Sequence, residues 1–293
     1  MDTVLRSRSK TVTIGSNQPF CIIGERINPT GRKRFAQELR DDDLTTVDVD
    51  VDAQVAAGAD MLDINAGIPL VDEAVLLQKM LRRVQERCDL PLCIDSSVIE
   101  ALEAGLSVYE GKALVNSVTG EDDRLEEILP LVAKHGAAVI ALANDETGIP
   151  ETPQQRLEIA TKIIKVADDY GIGPEDIVID PLAMTVGAAT DAVTVTMETI
   201  RLIRQELGVN MCLGASNVSF GLPDRHDLNA AFLPMAMAAG LTSAIMSTAE
   251  VCVTSVRASD LMLGHDEWGS RWIATHRARK AADEVAAGVA SPA

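Results

Sequence analysis

Five short apolar runs in this chain end in a carboxylate or an amide: Met61–Asn65 (MLDIN), Leu92–Asp95 (LCID), Ala113–Asn116 (ALVN), Ile177–Asp180 (IVID) and Cys212–Asn217 (CLGASN). A strand buried on both faces reads as a continuous apolar run, which is the habit of parallel sheets. In α/β folds, ligand chemistry gathers beyond the carboxyl ends of such strands. One polar ending would be an ordinary solvated strand terminus. The recurrence points instead to a ring of hydrogen-bonding groups aimed at one polar, planar ligand.

Eight strand-like runs can be placed, at about 21–24, 61–64, 91–95, 113–116, 138–142, 176–180, 211–215 and 243–247. Most are separated by segments with helical spacing, at 74–88, 100–108, 125–135, 154–170, 193–207 and 228–239. Thr152-Pro153 opens one of these with a cap and a first-turn proline. Ala-Gly-Ala-Asp60, His-Gly-Ala-Ala138 and Ala-Ala-Gly-Leu241 place a glycine at helix-to-strand junctions, where a left-handed conformation ends a helix. Repeated strand–helix alternation predicts an α/β chain folded as a (β/α)8 TIM barrel, with a doubly wound open sheet as the alternative. The barrel is expected over 20–280, after an N-terminal extension at 1–19 and before a flexible small-residue tail at 281–293.

At 293 residues the chain is long enough for one barrel, and with 47% hydrophobic but 3% aromatic residues its core must be aliphatic. A formal charge of −18 argues against a nucleic-acid surface or an anionic membrane. No stretch reads as a membrane span or signal core. Five cysteines at 21, 88, 93, 212 and 252 form no CxxC pair, so a reduced, cytoplasmic protein is expected.

In a barrel the strand-end residues face one mouth. Asp63 and Asn65, two apart, share a side of their strand, while Asp95, Asn116, Asp180 and Asn217 come from four further junctions. Carboxylates accept hydrogen bonds and amides both donate and accept, so together they could read the amine, ring nitrogens and carbonyl along the edge of a pterin. The plainer reading of each is a cap on the following helix. Asn28, in the loop Gly24–Gly31, is a further ligand candidate, and Glu25-Arg26 beside it could simply brace that loop. Asn217 is better suited to chemistry than to recognition, because an amide donor can strengthen its bond to a ring nitrogen as charge develops. The four histidines show no metal-site spacing. Asp224-Arg225-His226 begins a cobalt-ligand pattern, Asp-x-His-x-x-Gly, but Asn229 stands where the glycine belongs. The chain itself is therefore not expected to hold a corrinoid. Phosphate-loop, dinucleotide and nucleophile-elbow patterns are absent.

Gly24–Asn28, Leu62–Asn65, Cys93–Ser96, Val115–Ser117, Ile179–Leu182 and Gly214–Ser219 together resemble the pterin-binding barrel family, and within it the methyltetrahydrofolate:corrinoid methyltransferases. The resemblance covers about 20–263. It implies pterin binding by Asp95, Asn116 and Asp180; Asp63, Asn65 and Asn28 are expected to join them in binding substrate, with organisation of the mouth as the alternative for Asp63 and Asn65. It gives Asn217 the place of the asparagine that approaches N5 of the folate, and catalytic work is expected of Asn217 and Asp95. The implied reaction moves a methyl group between N5 of methyltetrahydrofolate and the cobalt of a cobalamin-like corrinoid carried by a separate partner protein. The residues do not fix its physiological direction, and a homodimer is implied by the resemblance alone. Dihydropteroate synthase is the competing activity on this barrel, but its Ser-Arg-Lys element is here Ser216-Asn217-Val218. A noncatalytic folate-binding protein is the other alternative.

Overall fold

The valine-, isoleucine- and leucine-rich runs form eight parallel strands that close on themselves, as seen in a computed structural model that describes residues 1–286. In chain order after an N-terminal hairpin (β1, Asp2–Arg6; β2, Thr11–Gly15), the barrel strands are β3 (Cys21–Ile27), β4 (Met61–Asn65), β5 (Leu92–Asp95), β6 (Leu114–Thr119), β7 (Ala138–Leu142), β8 (Ile177–Asp180), β9 (Asn210–Gly214) and β10 (Ser243–Met246). β10 pairs with β3 and completes the ring. The fold is thus the (β/α)8 barrel expected, and the open-sheet alternative falls because both would-be edges are paired.

Helices cover the outside: α1 (Lys33–Arg40), α2 (Thr45–Ala56), α3 (Glu73–Arg87), α4 (Ile99–Val108), α5 (Asp122–His135), α6 (Pro153–Asp169), α7 (Ala192–Glu206), α8 (Arg225–Ala239), α9 (Glu250–Leu263) and α10 (Ser270–Ala286). Thr152 and Gln155 make a reciprocal capping box at the start of α6, with Pro153 in its first turn. Gly136 takes the left-handed conformation that ends α5. Of the residues expected as a tail, 281–286 belong to α10 and 287–293 lie outside the described residues.

The period-two alternation of strands divides the core in two. Ile22, Leu62, Ile64, Leu92, Ile94, Val115, Ile177, Ile179, Met211 and Leu213 point outward under the helices. Cys21, Ile23, Met61, Cys93, Leu114, Ile140, Val178 and Cys212 point inward and fill the barrel. Leu5 and Ile14 of the hairpin join that inner cluster, so residues expected as a mere extension plug the barrel's amino end. Asn210 ties the plug down, donating to Thr3 Oγ1 at 2.9 Å and to the Ile14 carbonyl at 2.8 Å.

Candidate functional site

Continuing each inward series by one more alternate position gives the site. Past Ile23, Met61, Cys93, Leu114, Val178 and Cys212 come Glu25, Asp63, Asp95, Asn116, Asp180 and Gly214. Strand register sets Asn65 beside Asp95 and Asp95 beside Asn116, while Asp63 lies one layer deeper, beside Cys93. The pairing of β3 with β4 shifts between Gly24 and Ile27, and that of β6 with β7 shifts between Asn116 and Val118. Such irregularities re-aim side chains at barrel rims.

These residues surround an open cavity of about 480 Å³ at the carboxyl end of the barrel. Asn28, Asp63, Asp95, Asn116, Asp180 and Asn217 all line it. Asn65 does not. Its amide donates to Asp95 Oδ2 at 2.9 Å and accepts from the Gly67 N–H at 2.8 Å, so it holds Asp95 rather than facing the space. Asn116 Nδ2 donates to Asp63 Oδ1 at 3.1 Å. Asn28 spends its carbonyl on the Thr30 N–H at 2.9 Å, a turn-forming bond that leaves its amide nitrogen for other partners.

The capping reading fails for Asp95 and Asn116, since neither α4 nor α5 has a side-chain cap. It fails for Asp180 as well: α7 begins only at Ala192 and has no side-chain cap, and Asp180 Oδ1 instead closes a local turn by accepting from the Leu182 N–H at 2.7 Å. Behind that turn the buried Arg156 donates to the carbonyls of Pro181 and Leu182, both at 2.8 Å, and fixes the approach of Asp180 to the cavity.

The same burial that shapes the site makes its acids reluctant to ionise. Desolvation raises Asp180 to about 7, against the Leu182 N–H and the Arg156 charge, which favour the carboxylate. Asp95 is pushed by burial to about 6, with the Asn65 bond opposing and the Glu73 charge adding. Burial and the neighbouring Asp95 hold Asp63 well above the usual carboxylate range, despite its bonds from Asn116 and Cys93. The cavity therefore presents two carboxyls, Asp95 and Asp180, whose charge changes near neutrality.

Asn217 is the exposed residue of an otherwise largely buried 3-10 turn, Ala215–Ser219, directly after β9. A β-carbon on Gly214 would stand only 3.0 Å from Asn217 Nδ2, so the bare glycine leaves room for the amide to lie across the strand end. Glu25, Arg26, Thr30, Arg32, Ser117, Ser216, Phe220 and Arg225 also line the cavity. Alternation along β3 could have found Glu25, which faces inward and accepts from Ser216 Oγ at 2.9 Å instead of pairing with Arg26. Arg26, exposed at the cavity's edge, reaches Asp50 at 3.9 Å, and Arg32 bridges the same carboxylate at 2.6 Å. A neighbouring cavity of about 550 Å³ shares Glu25, Arg26, Ser216 and Arg225 and adds His226 and Asn229. Among the described residues no cluster of three or more His, Cys, Asp or Glu could hold a metal ion. No helix of the described residues is long and apolar enough to cross a membrane.

A closed parallel barrel with a polar, amide- and carboxyl-lined mouth is the architecture of a pterin-binding enzyme, and the chain belongs to the pterin binding enzyme family, whose profile matches residues 24–247. Methylcorrinoid:tetrahydrofolate methyltransferase of Eubacterium limosum is 32% identical over 252 residues, covering 84% of this chain and 92% of that protein. Methionine synthase of Mycobacterium tuberculosis is 34% identical over 245 residues, which are 78% of this chain but 20% of that longer protein. Among solved structures, dihydropteroate synthase from Vibrio fischeri superposes with a TM-score of 0.67 at 17% identity, over 89% of this chain and 98% of that one. The Xanthomonas albilineans enzyme in complex with 7,8-dihydropteroate gives 0.65 at 18% identity, again over 89% and 98%. These two share the fold.

Proposed function

We propose that this protein transfers a methyl group between a methylcorrinoid, carried by a separate protein, and N5 of tetrahydrofolate. One observation carries the reading: Asp63, Asp95, Asn116, Asp180 and Asn217 meet around a single cavity, in a chain alike over most of its length to a methylcorrinoid:tetrahydrofolate methyltransferase. In the direction that relative's name gives, N5 forms a bond to the methyl carbon. The cobalt–carbon bond breaks with its electron pair left on cobalt, and N5 loses its proton. In reverse, N5 must regain a proton or a strong hydrogen bond before it can leave.

The residues divide this work. Asp180 suits the paired donors of a pterin edge, an amino group and a ring N–H, and Asn116 suits mixed polarity. Asp95, level with Asn116, and Asp63, one layer deeper, complete the polar wall. Asn217, exposed at the rim, is the proposed donor to N5, where a bond that strengthens in the transition state raises the rate rather than the affinity. The wide mouth leaves access for a partner that brings its corrinoid to the methyl site. A homodimer and a cytoplasmic location complete the reading; the five cysteines are free thiols, as a reducing compartment requires.

The test is a single-turnover assay with methylcobalamin and tetrahydrofolate, run in both directions by following the corrinoid spectrum. Formation of methyltetrahydrofolate supports the proposal. Tight tetrahydrofolate binding without transfer would leave a binding protein, and condensation of a dihydropterin pyrophosphate with p-aminobenzoate would overturn the assignment in favour of the synthase.

A further inference from the structure

A five-residue 3-10 turn is a poor platform for a group that must be aimed within a fraction of an ångström. The Ala215–Ser219 turn gains its rigidity from outside. Arg225 and Asn229 lie one turn apart on α8 and so face the same way, toward this turn. Arg225 donates to the Ser216 carbonyl at 2.7 Å and to Ser219 Oγ at 3.2 Å. Asn229, 2% exposed, uses both ends of its amide: Oδ1 accepts from Ser219 Oγ at 2.7 Å, and Nδ2 donates to Ser216 Oγ at 3.1 Å. Ser216 in turn donates to Glu25 Oε1 at 2.9 Å, which links the turn to β3 across the ring closure.

The polarity of this chain is forced. A serine hydroxyl has one proton, and Ser216 gives it to Glu25, so the group at 229 must donate to Ser216; Ser219 has the oxygen at 229 as its nearer acceptor, at 2.7 Å against 3.3 Å to the Ser216 carbonyl. An amide can do both at once and an ionised carboxylate cannot. The sequence pattern that stops short of a cobalt site, with asparagine in the place of glycine, thereby acquires a purpose of its own. We propose that Asn229 is a positioning residue for methyl transfer: its amide cross-links Ser216 and Ser219, the residues flanking Asn217, and so fixes the direction in which the Asn217 amide enters the cavity. The inference rests on the transfer reaction proposed above.

The test compares Asn229→Asp and Ser219→Ala with the unaltered protein by single-turnover transfer from methylcobalamin, tetrahydrofolate binding and crystal structures of each variant. Misplacing a reacting group by about 1 Å costs on the order of 100-fold, so Asn229→Asp should lose about 30-fold or more of its transfer rate at pH 8 while tetrahydrofolate affinity stays within about threefold. In that variant two carboxyls, 229 and Glu25, compete for one hydroxyl proton, with Arg225, His226 and Arg26 as the charges around Glu25. Burial already raises Glu25, so the rate of this variant relative to the unaltered protein should recover as the pH is lowered and one carboxyl takes up a proton. A merely structural asparagine would give no such recovery. Ser219→Ala, a smaller change that keeps the fold within reach should the first variant fail to accumulate, should lose several-fold in rate at every pH. Parallel losses in rate and affinity, or an Asn217 turn that superposes unchanged in both variant structures, would overturn the proposal. The crystallographic arm stands even if the unaltered protein transfers no methyl group, an outcome that would defeat the functional reading alone.

Discussion

Replacing Asp180 by asparagine tests the recognition half of the site most directly. The side chain keeps its size and can keep its bond from the Leu182 N–H. It loses a charge, and where the carboxylate would accept two pterin donors the amide offers one oxygen and one opposing N–H2. Hydrogen bonds to a charged group contribute about 1.5–3 kcal/mol each and a neutral one about 1, so the net loss should be about 2–5 kcal/mol. At pH 8 that weakens tetrahydrofolate binding by about 30- to 5000-fold. Asp180 ionises near 7 in the empty site, and only the ionised form accepts both donors. Affinity of the unaltered protein should therefore fall about tenfold from pH 8 to pH 6, whereas the variant lacks that dependence. Asp95, at about 6, adds roughly a factor of two at pH 6 to both proteins. The gap between them should thus close by about tenfold in acid.

Stability should move the opposite way. A carboxyl raised on folding stabilises the folded state in acid, and that contribution drains as pH climbs from about 4 through 7. At pH 8 the empty variant, free of a desolvated charge, should melt above the unaltered protein. Calorimetric titration at pH 6 and pH 8 with parallel melting curves reads both effects. Equal tetrahydrofolate affinity in variant and unaltered protein at pH 8 would refute the edge-reading role, and a variant that retains the tenfold pH dependence would refute its attribution to Asp180.

Three shorter tests accompany it. Asn217→Ala should slow single-turnover transfer by about 10- to 100-fold with little change in tetrahydrofolate affinity, as expected for a bond made in the transition state; equal losses in both would place it in recognition. Gly214→Ala puts a methyl group 3.0 Å from Asn217 Nδ2 and should mimic that rate defect in milder form, and an unaffected rate would show that the amide does not need the space. Asn210→Ala removes the donor that anchors the amino-terminal hairpin and should cost about 1–3 kcal/mol, a melting-point loss of roughly 2–10 °C, with transfer unchanged at 25 °C.

The strands were the most legible part of this chain because each is buried on both faces, and eight apolar runs punctuated by turns admit few architectures. The strand-end acids and amides were legible for the same reason, as period-two continuations of inward-facing rows. Less could be read where the local signal contradicts the tertiary one. Thr45–Ala56 alternates valine and aspartate, a strand-like period, yet it folds as α2 with Val47, Val51 and Gln54 inward. There Asp48 and Asp52 are drawn to Arg83 and Arg87 of α3. The hairpin could not be foreseen because its reason for folding, the open amino end of a barrel, lies elsewhere in the sequence. Asn65 was expected either to bind substrate or to organise the mouth, and spacing could not choose between them, since Asp95 on the next strand decides where its bonds are spent. The clamp by Asn229 on Ser216 and Ser219 depends on a loop meeting a helix face, which no spacing announces.

The inward row under the site has a practical consequence. Cys21, Cys93 and Cys212 are at most 2% exposed, and burial holds their thiols well above the usual range. A closed ring has no edge from which a strand can peel, so these sulfurs meet reagent only when the ring itself opens. Cys88, partly exposed beyond α3, answers to local motion instead. Alkylation of the chain should therefore run on two clocks. The slow one times global opening of the barrel, and a bound folate should retard it without touching the fast one.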